Sequence, residues 1–272
     1  MSFPSFSFRI KAAIAIVLVA GLAWGAVTML VPPPDMAART QAARAMLDRA
    51  RETRTIPSGV ATLPLPKVKS ATQRKTLFIA AMLPLIVREN ARIEEQRARA
   101  ASAPNDSPAF AALAYAYGLD PGVARATLLR RIDIVPASLA LAQSAVESAW
   151  GRSRFARKGN AYFGERTYDP DVPGLTPEGV QKDWPPFRVK SFPSAYLSVR
   201  SFMKTLNTHP AYQILRQRRA ALRAQGQRPT GLALAPFLHG YSEIGAPYIK
   251  RVVATLRSNR LSAFNGLKLV DE

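Results

Sequence analysis

The run from Ala12 to Val31 carries no charged residue and follows Arg9 and Lys11. At a helical rise of ~1.5 Å per residue it spans ~30 Å, the thickness of a bilayer's hydrocarbon core. A helix buried in a soluble protein is rarely so uniformly apolar. A cleavable signal peptide has a shorter apolar region of about 7 to 15 residues, closed by a small-x-small cleavage site. Here Val31 leads straight into Pro32, Pro33 and Pro34. The expectation is an uncleaved signal anchor, an N-terminal transmembrane helix within residues 1–31, with a processed signal peptide as the alternative. Arg39, Arg44, Arg49 and Arg51 follow closely, so a Lys and Arg count across the run does not set its orientation.

Of the 272 residues 48% are hydrophobic, enough for one packed domain with appendages. The 38 Lys and Arg against 18 Asp and Glu give a formal charge of +20, so the surface attracts polyanions: nucleic acid, anionic lipid or an anionic wall polymer. No helix-turn-helix, zinc-finger or RNA-binding signature accompanies the charge, and no specific nucleic acid partner is expected. Cysteine is absent, which removes disulfides, thiol nucleophiles and Cys-ligated metals. Two histidines, His209 and His239, are too few for a His-rich metal site. Neither a metal nor a cofactor is expected, and the sequence leaves the oligomeric state open.

Residues 32–75 are rich in Ala, Arg and Pro and resemble a linker, with a short helix possible from Asp35 to Thr53. Helical periodicity begins at Leu77, Ala80, Ala81, Leu85 and Ile86, continues to Ala100, and stops at the turn cluster Ser102 to Pro108. Phe110 to Gly118 and Gly122 to Arg131 give two more helices, so residues 76–132 form a helical N-terminal part. Pro136 to Trp150 has Pro near a helix start, Leu139, Ala142, Val146 and Ala149 on one stripe, and Gly151 past the end. Prolines and glycines between Tyr162 and Phe192 leave room only for short strands, foremost Phe187 to Ser191, in a small hairpin lobe. Further helices are expected from Ser194 to Leu206, from Pro210 towards Gly226, from Leu232 to His239 and from Pro247 to Ser258. The fold is expected to be mainly α with a minor sheet (α+β). Residues 133–262 form its main domain and 263–272 a tail.

Glu147 falls in the last turn of the Pro136 helix, where the partial negative charge of the helix terminus disfavours a carboxylate. Together with the apolar surroundings and Trp150, this should raise its pKa and keep it protonated near neutrality, as a general acid requires. The bland alternative is a solvated Glu at a frayed helix end.

The stretch Ile134 to Ala156, containing Gln143-Ser-Ala-Val-Glu147-Ser148-Ala149-Trp150-Gly151-Arg152-Ser153, is followed by Gly159-Asn160-Ala161-Tyr162-Phe163-Gly164. Together these resemble the Bax-like glucosaminidases, within the endo-β-N-acetylglucosaminidase domain of glycoside hydrolase family 73. Likeness extends to Arg130–Asp133, to Leu206-Asn207-Thr208-His209-Pro210-Ala211-Tyr212 and to Tyr241-Ser242-Glu243-Ile244-Gly245-Ala-Pro-Tyr248, covering about 76–261. Ala149 stands where the family carries Gly, and Ala161 where it carries a second Asn.

The resemblance implies a lysozyme-like fold with Glu147 as general acid. It also implies a second carboxylate from the hairpin lobe, which offers Glu165, Asp169, Asp171, Glu178 and Asp183. Element order makes Glu178 the nearest equivalent, and the substrate acetamido group is an alternative to any second acid. Tyr241 and Tyr248 resemble tyrosines that line the cleft opposite the acid, and Asn160, Phe163 and Trp184 are further candidates for holding sugar. Trp150 reads as core, His209 as part of a helix start and His239 as a surface or satisfied residue. The Arg216–Arg223 cluster reads as a solvated face able to hold an anionic mesh.

The implied activity is hydrolysis of the glycan strands of peptidoglycan, by a catalytic domain in the periplasm that is anchored in the inner membrane by a single span, or secreted to the periplasm after signal cleavage. A lytic transglycosylase and a catalytically impaired, membrane-tethered wall-binding scaffold are the alternatives.

Overall fold

A computed structural model describes residues 35–58, 63, 65, 68–178, 187–241 and 245–270. The expected anchor at 12–31 lies outside these residues. No helix among the described residues is long and apolar enough to cross a membrane. The chain divides into two units, 1–42 and 43–272. In the first, the described stretch is the start of helix α1 (Met36–Thr53), and the remainder of α1 opens the second.

The second unit is mainly helical, as the periodicity implies. After α1 come β1 (Thr55–Pro57), the long α2 (Ala71–Ser102), α3 (Pro108–Ala116), α4 (Arg125–Arg131) and α5 (Ala137–Glu147). Next are α6 (Arg154–Gly159), β2 (Arg166–Thr167), β3 (Gly174–Leu175) and β4 (Arg188–Lys190). The chain closes with α7 (Ala195–Thr208), α8 (Gln213–Ala224), α9 (Gly231–Leu234), α10 (Ala246–Ser258) and β5 (Lys268–Val270). Several starts follow from capping. Ser70, Ser107, Ser153, Ser194 and Thr230 each accept a backbone N–H of the helix they precede, satisfying a donor that has no intrahelical partner.

Helix α5 is the centre of the core. Every residue from Ala137 to Ala145 is buried, so the apolar stripe expected from the sequence is only part of a helix enclosed on all sides. Its small side chains admit neighbours closely. A Cβ added at Gly231 would lie 2.5 Å from Ser138 Oγ, and the Gly231 N–H donates to that oxygen at 3.0 Å. The helix stops at Glu147, three residues before the expected Trp150, because Ala149, Trp150 and Gly151 take φ of 50°, 60° and 76°. Ser148 closes the turn: its Oγ donates to Ser144 O at 2.6 Å and accepts the Gly151 N–H at 2.9 Å.

Two further differences from the expectation concern segments read as linker and tail. Residues 55–57 form β1, which pairs in parallel with β5 at 268–270, with Ile56 opposite Leu269 and fully buried. Arg54 reinforces the pair by donating to the carbonyls of Ala263 and Asn265. The hairpin lobe is a three-stranded antiparallel sheet in the order β2-β4-β3, with β4 central.

The basic run on α8 is also not the solvated face expected. Arg216 is 6% exposed and Arg219 is 0% exposed, whereas Arg218 and Arg223 remain exposed, with the Arg223 guanidinium turned back onto Asp133. Arg216 donates to the carbonyls of Leu206 and His209. Arg219 donates to those of Arg130, Asp133 and Ile134 and lies 3.5 Å from the Asp133 carboxylate. Arg223 grips the same carboxylate through Nε at 2.7 Å, and Arg97 stands 4.0 Å away. Asp133 lies four residues before the first residue of α5, so this cluster holds the connection that leads into the central helix. Burial lowers the Arg219 pKa to about 10 while the Asp133 charge opposes that fall.

Asp133→Ala leaves the Arg219 charge buried without its partner and is expected to cost about 3–5 kcal/mol in urea or guanidinium unfolding. Ala149→Gly relieves a left-handed L-residue but loosens the unfolded chain, so a net gain of roughly 0.5–1 kcal/mol is expected in the same assay.

Candidate functional site

The last turn of α5 delivers Glu147 half-buried, with no basic residue in that turn to compensate its charge. Burial pushes its pKa from 4.5 up to about 7, and a hydrogen bond from Tyr248 pulls part of the way back. Trp150 packs edge-on against Phe78 of α2 at 5.7 Å, with Lys75 over its ring, and lies partly buried against the core, as expected. The desolvating neighbours come from the two segments that meet the helix end.

One is the Gly-Asn-Ala-Tyr-Phe-Gly segment. Its final glycine, Gly164, has φ of +65°, and a Cβ there would stand 3.1 Å from Glu147 Oε2. Gly164 is itself exposed, so the carboxyl can be approached from solvent across a residue with no side chain to cover it. Phe163 is 2% exposed and stacks on Phe202 of α7 at 3.9 Å and 7°. That corrects its expected role: its ring is committed to the core and offers no face to a sugar. Asn160 caps α6 in the left-handed region at φ 49°, and its amide donates to Phe192 O at 3.0 Å. Its observed work is to hold the turn. Ala161, in place of the family's second Asn, is buried.

The other segment supplies the tyrosines. Tyr241 and Tyr248 stack at 5.2 Å and 13°, and the Tyr241 hydroxyl donates to Phe163 O at 2.7 Å. Tyr248 is buried, so it meets the acid rather than a sugar face. Gln143, one turn before Glu147, donates from Nε2 to the Tyr248 oxygen at 3.0 Å. With its oxygen occupied as acceptor, the Tyr248 hydroxyl is free to donate to the Glu147 carboxyl. Gln143 was legible as part of the motif, but a sequence gives no sign of which tyrosine it serves.

Among the lobe acids, Glu178 is exposed and pairs with Arg154 at 3.2 Å, and no described contact joins it to Glu147. Asp169 and Asp171 are exposed turn residues. Asp183 and Trp184 lie outside the described residues, as do Ser242, Glu243 and Ile244. Glu165, which directly follows Gly164, is different. Its side chain is 12% exposed, Ser201 donates to Oε2 at 2.7 Å, and Lys190 Nζ stands 3.8 Å away. Burial raises its pKa, against the pull of Ser201 and Lys190. Charges on Glu165 and Glu147 both act on Tyr212 and Tyr241; with burial, the larger cause, they lift Tyr212 to about 12.

His209 accepts the Ala211 N–H and starts the turn at Pro210, as expected, while His239 is exposed. Among the described residues no group of three or more His, Cys, Asp or Glu could hold a metal ion.

Residues 124–261 match the glucosaminidase family, described as mannosyl-glycoprotein endo-beta-N-acetylglucosaminidase. The chain is also similar to protein Bax of Escherichia coli (strain K12), at 32% identity over 211 residues that cover 72% of this chain and 73% of that protein. No solved structure matches it significantly. A family match over half the chain, together with a relative similar over most of it, gives one conclusion: this chain is a member of the glucosaminidase family, with a glycosidase-type domain.

Proposed function

We propose that this protein is a peptidoglycan hydrolase, an endo-β-N-acetylglucosaminidase that cuts the glycan strands of the bacterial cell wall with Glu147 as general acid. The observation that carries the reading is a half-buried carboxyl at the end of α5, set against the exposed Gly164, and burial pushes its pKa up to about 7. Near neutral pH about half of such a group is protonated, which suits it to give a proton to the bridging oxygen as the glycosidic bond breaks. The Tyr248 hydroxyl then donates to the carboxylate left behind, and Gln143 keeps it aimed. The family description supports an N-acetylglucosaminide bond. The formal charge of +20 supports a polyanionic substrate such as the wall, whose peptides carry carboxylates. In this proposal the apolar run at 12–31 anchors the domain on the periplasmic side of the inner membrane.

Glu147→Gln is expected to lower the rate on purified peptidoglycan ~10²- to 10⁴-fold, and clearing equal to the parent sinks the mechanism. Mass spectrometry of the parent's products should show reducing N-acetylglucosamine ends, whereas 1,6-anhydromuramic ends would assign a lytic transglycosylase.

The parent's rate should fall as pH rises through about 7, where Glu147 loses its proton. Tyr248→Phe removes the bond that favours the carboxylate, so this alkaline limb should move to higher pH.

Linkage gives an independent check. The carboxyl ionises near 4.5 when unfolded and near 7 when folded, so the folded state loses stability as pH rises between them. Glu147→Gln escapes that loss. It should be more stable than the parent by up to about 3 kcal/mol at pH 8, with no such gain at pH 4.

A further inference from the structure

Where Ile134, Pro136 and Ala137 lead into α5, a cavity of about 340 Å³ opens between α2 and the chain around β5. Such a volume takes a small ligand, since small-molecule sites run from ~300 to ~1,000 Å³. Glu147 closes the same helix ten residues beyond Ala137, roughly 15 Å along an axis that rises ~1.5 Å per residue. The cavity is therefore separate from the surroundings of the acid.

Its two walls carry opposite charge. Val87, Asn90, Ala91, Glu94 and Glu95 fall on one stripe of α2, which passes from apolar residues to two carboxylates. Both carboxylates are exposed, and neither makes an ion pair among the described residues. Asn90 is spent on the Val135 backbone, donating to its carbonyl at 2.8 Å and accepting its N–H at 3.1 Å, so the two acids are the free polar groups of this wall. The other wall holds Arg228 and Lys268, both exposed. Arg228 lies against Gly266, where an added Cβ would collide with the guanidinium, and it has no hydrogen bond or ion pair among the described residues. Asn265 adds a donor to that wall. It is 6% exposed, and its Oδ1 accepts the Ser138 N–H at 3.1 Å, which fixes the orientation of the amide and leaves Nδ2 without an acceptor among the described residues. Ile134, Leu267 and Leu269 make the rest of the lining largely apolar.

We propose that this cavity binds a short peptide bearing a free ammonium and a free carboxylate, with the ammonium against Glu94 and Glu95 and the carboxylate against Arg228. A ligand of one charge leaves one wall uncompensated, and an N-acetylated sugar carries neither charge. Uncrosslinked stem peptides of a bacterial wall carry both, and naming them as the source rests on the hydrolase reading above. Peptide and reacting bond are then held at opposite ends of one helix, so the cavity recruits substrate without touching the chemistry.

The test titrates the full chain in detergent, by calorimetry, with synthetic N-acetyl-L-alanyl-γ-D-glutamyl-meso-diaminopimelate and with forms in which its remaining amine is acetylated or its carboxylates are amidated. Each blocked form is expected to bind the parent at least ~10-fold more weakly. Arg228→Ala should lose the preference for free carboxylate, and Glu94→Gln combined with Glu95→Gln the preference for free ammonium. On intact peptidoglycan Arg228→Ala should raise KM at least ~3-fold with kcat changed less than ~2-fold, and on glycan strands stripped of peptide it should match the parent. Thermal melts check that the variants fold like the parent, and should the double variant melt early, Arg228→Ala decides alone. The proposal is overturned if the parent binds no peptide, if blocking either group leaves binding unchanged, or if the variants bind as the parent does. A KM on intact peptidoglycan that Arg228→Ala leaves unchanged overturns the wall as the source. A parent that binds peptide but cleaves no glycan defeats the hydrolase reading and leaves the cavity's ligand standing, whereas a parent that cleaves glycan but binds no peptide defeats this proposal alone.

Discussion

Two carboxyl groups flank the central helix, and the protein treats them in opposite ways. Asp133, just before the N-terminus of α5, is met by Arg97, Arg219 and Arg223. Glu147, at the C-terminus, has no cation among the causes that set its pKa, only burial and a tyrosine hydroxyl. The helix dipole bears on the second of these, since it disfavours an anion in the last turn and so favours a neutral acid there. Burial of Ala137 to Ala145 makes the contrast consequential, because little solvent screens the helix between the two groups. Three arginines for one carboxylate is more cation than pairing needs. The surplus guanidinium donors are taken up by backbone carbonyls around the α4–α5 connection, which holds α5, and so Glu147, in place.

The turn that follows Glu147 is part of the same arrangement. Three consecutive residues in the left-handed region reverse the chain within a few ångströms of the acid, and only one of them is glycine. Each L-residue there costs about 1–2 kcal/mol. Ser148 offsets part of that by bonding both to the helix behind it and to the turn ahead. Without the sharp reversal the helix would run on, and Glu147 would sit in mid-helix without the terminal dipole or its opening to solvent at Gly164.

Much of this was legible in the sequence because its signals are local. Apolar periodicity located α2, α5, α7 and α10, Ser194 located the start of α7 and Pro136 that of α5, and the run Gln143 to Gly164 located the acid and the segment laid against it. What was missed depends on distance in the chain or on partners. The parallel pair joins residues more than two hundred positions apart, and Ile56-Pro57 looks like linker until Leu269 is beside it. Arg216, Arg219 and Arg223 look like a solvated face because charge normally marks one. Only the Asp133 carboxylate and a ring of free carbonyls make an inward orientation tolerable. Phe163 has the composition of a sugar platform and is a core residue because Phe202 covers it. The lobe acids carry no periodic signal, so nothing in the sequence separates exposed Glu178 from shielded Glu165.

The parallel pairing of β1 with β5 has a mechanical consequence. The chain enters both strands at the same end, so a tug just before Thr55 bears first on the pairing of Thr55 with Lys268. Arg54, clasping the carbonyls of Ala263 and Asn265, adds a second fastening at the same point. Force from upstream would therefore meet first the buried Ala43, Leu47 and Ala50 of α1 and then this seam, before it reached the helix that carries the acid.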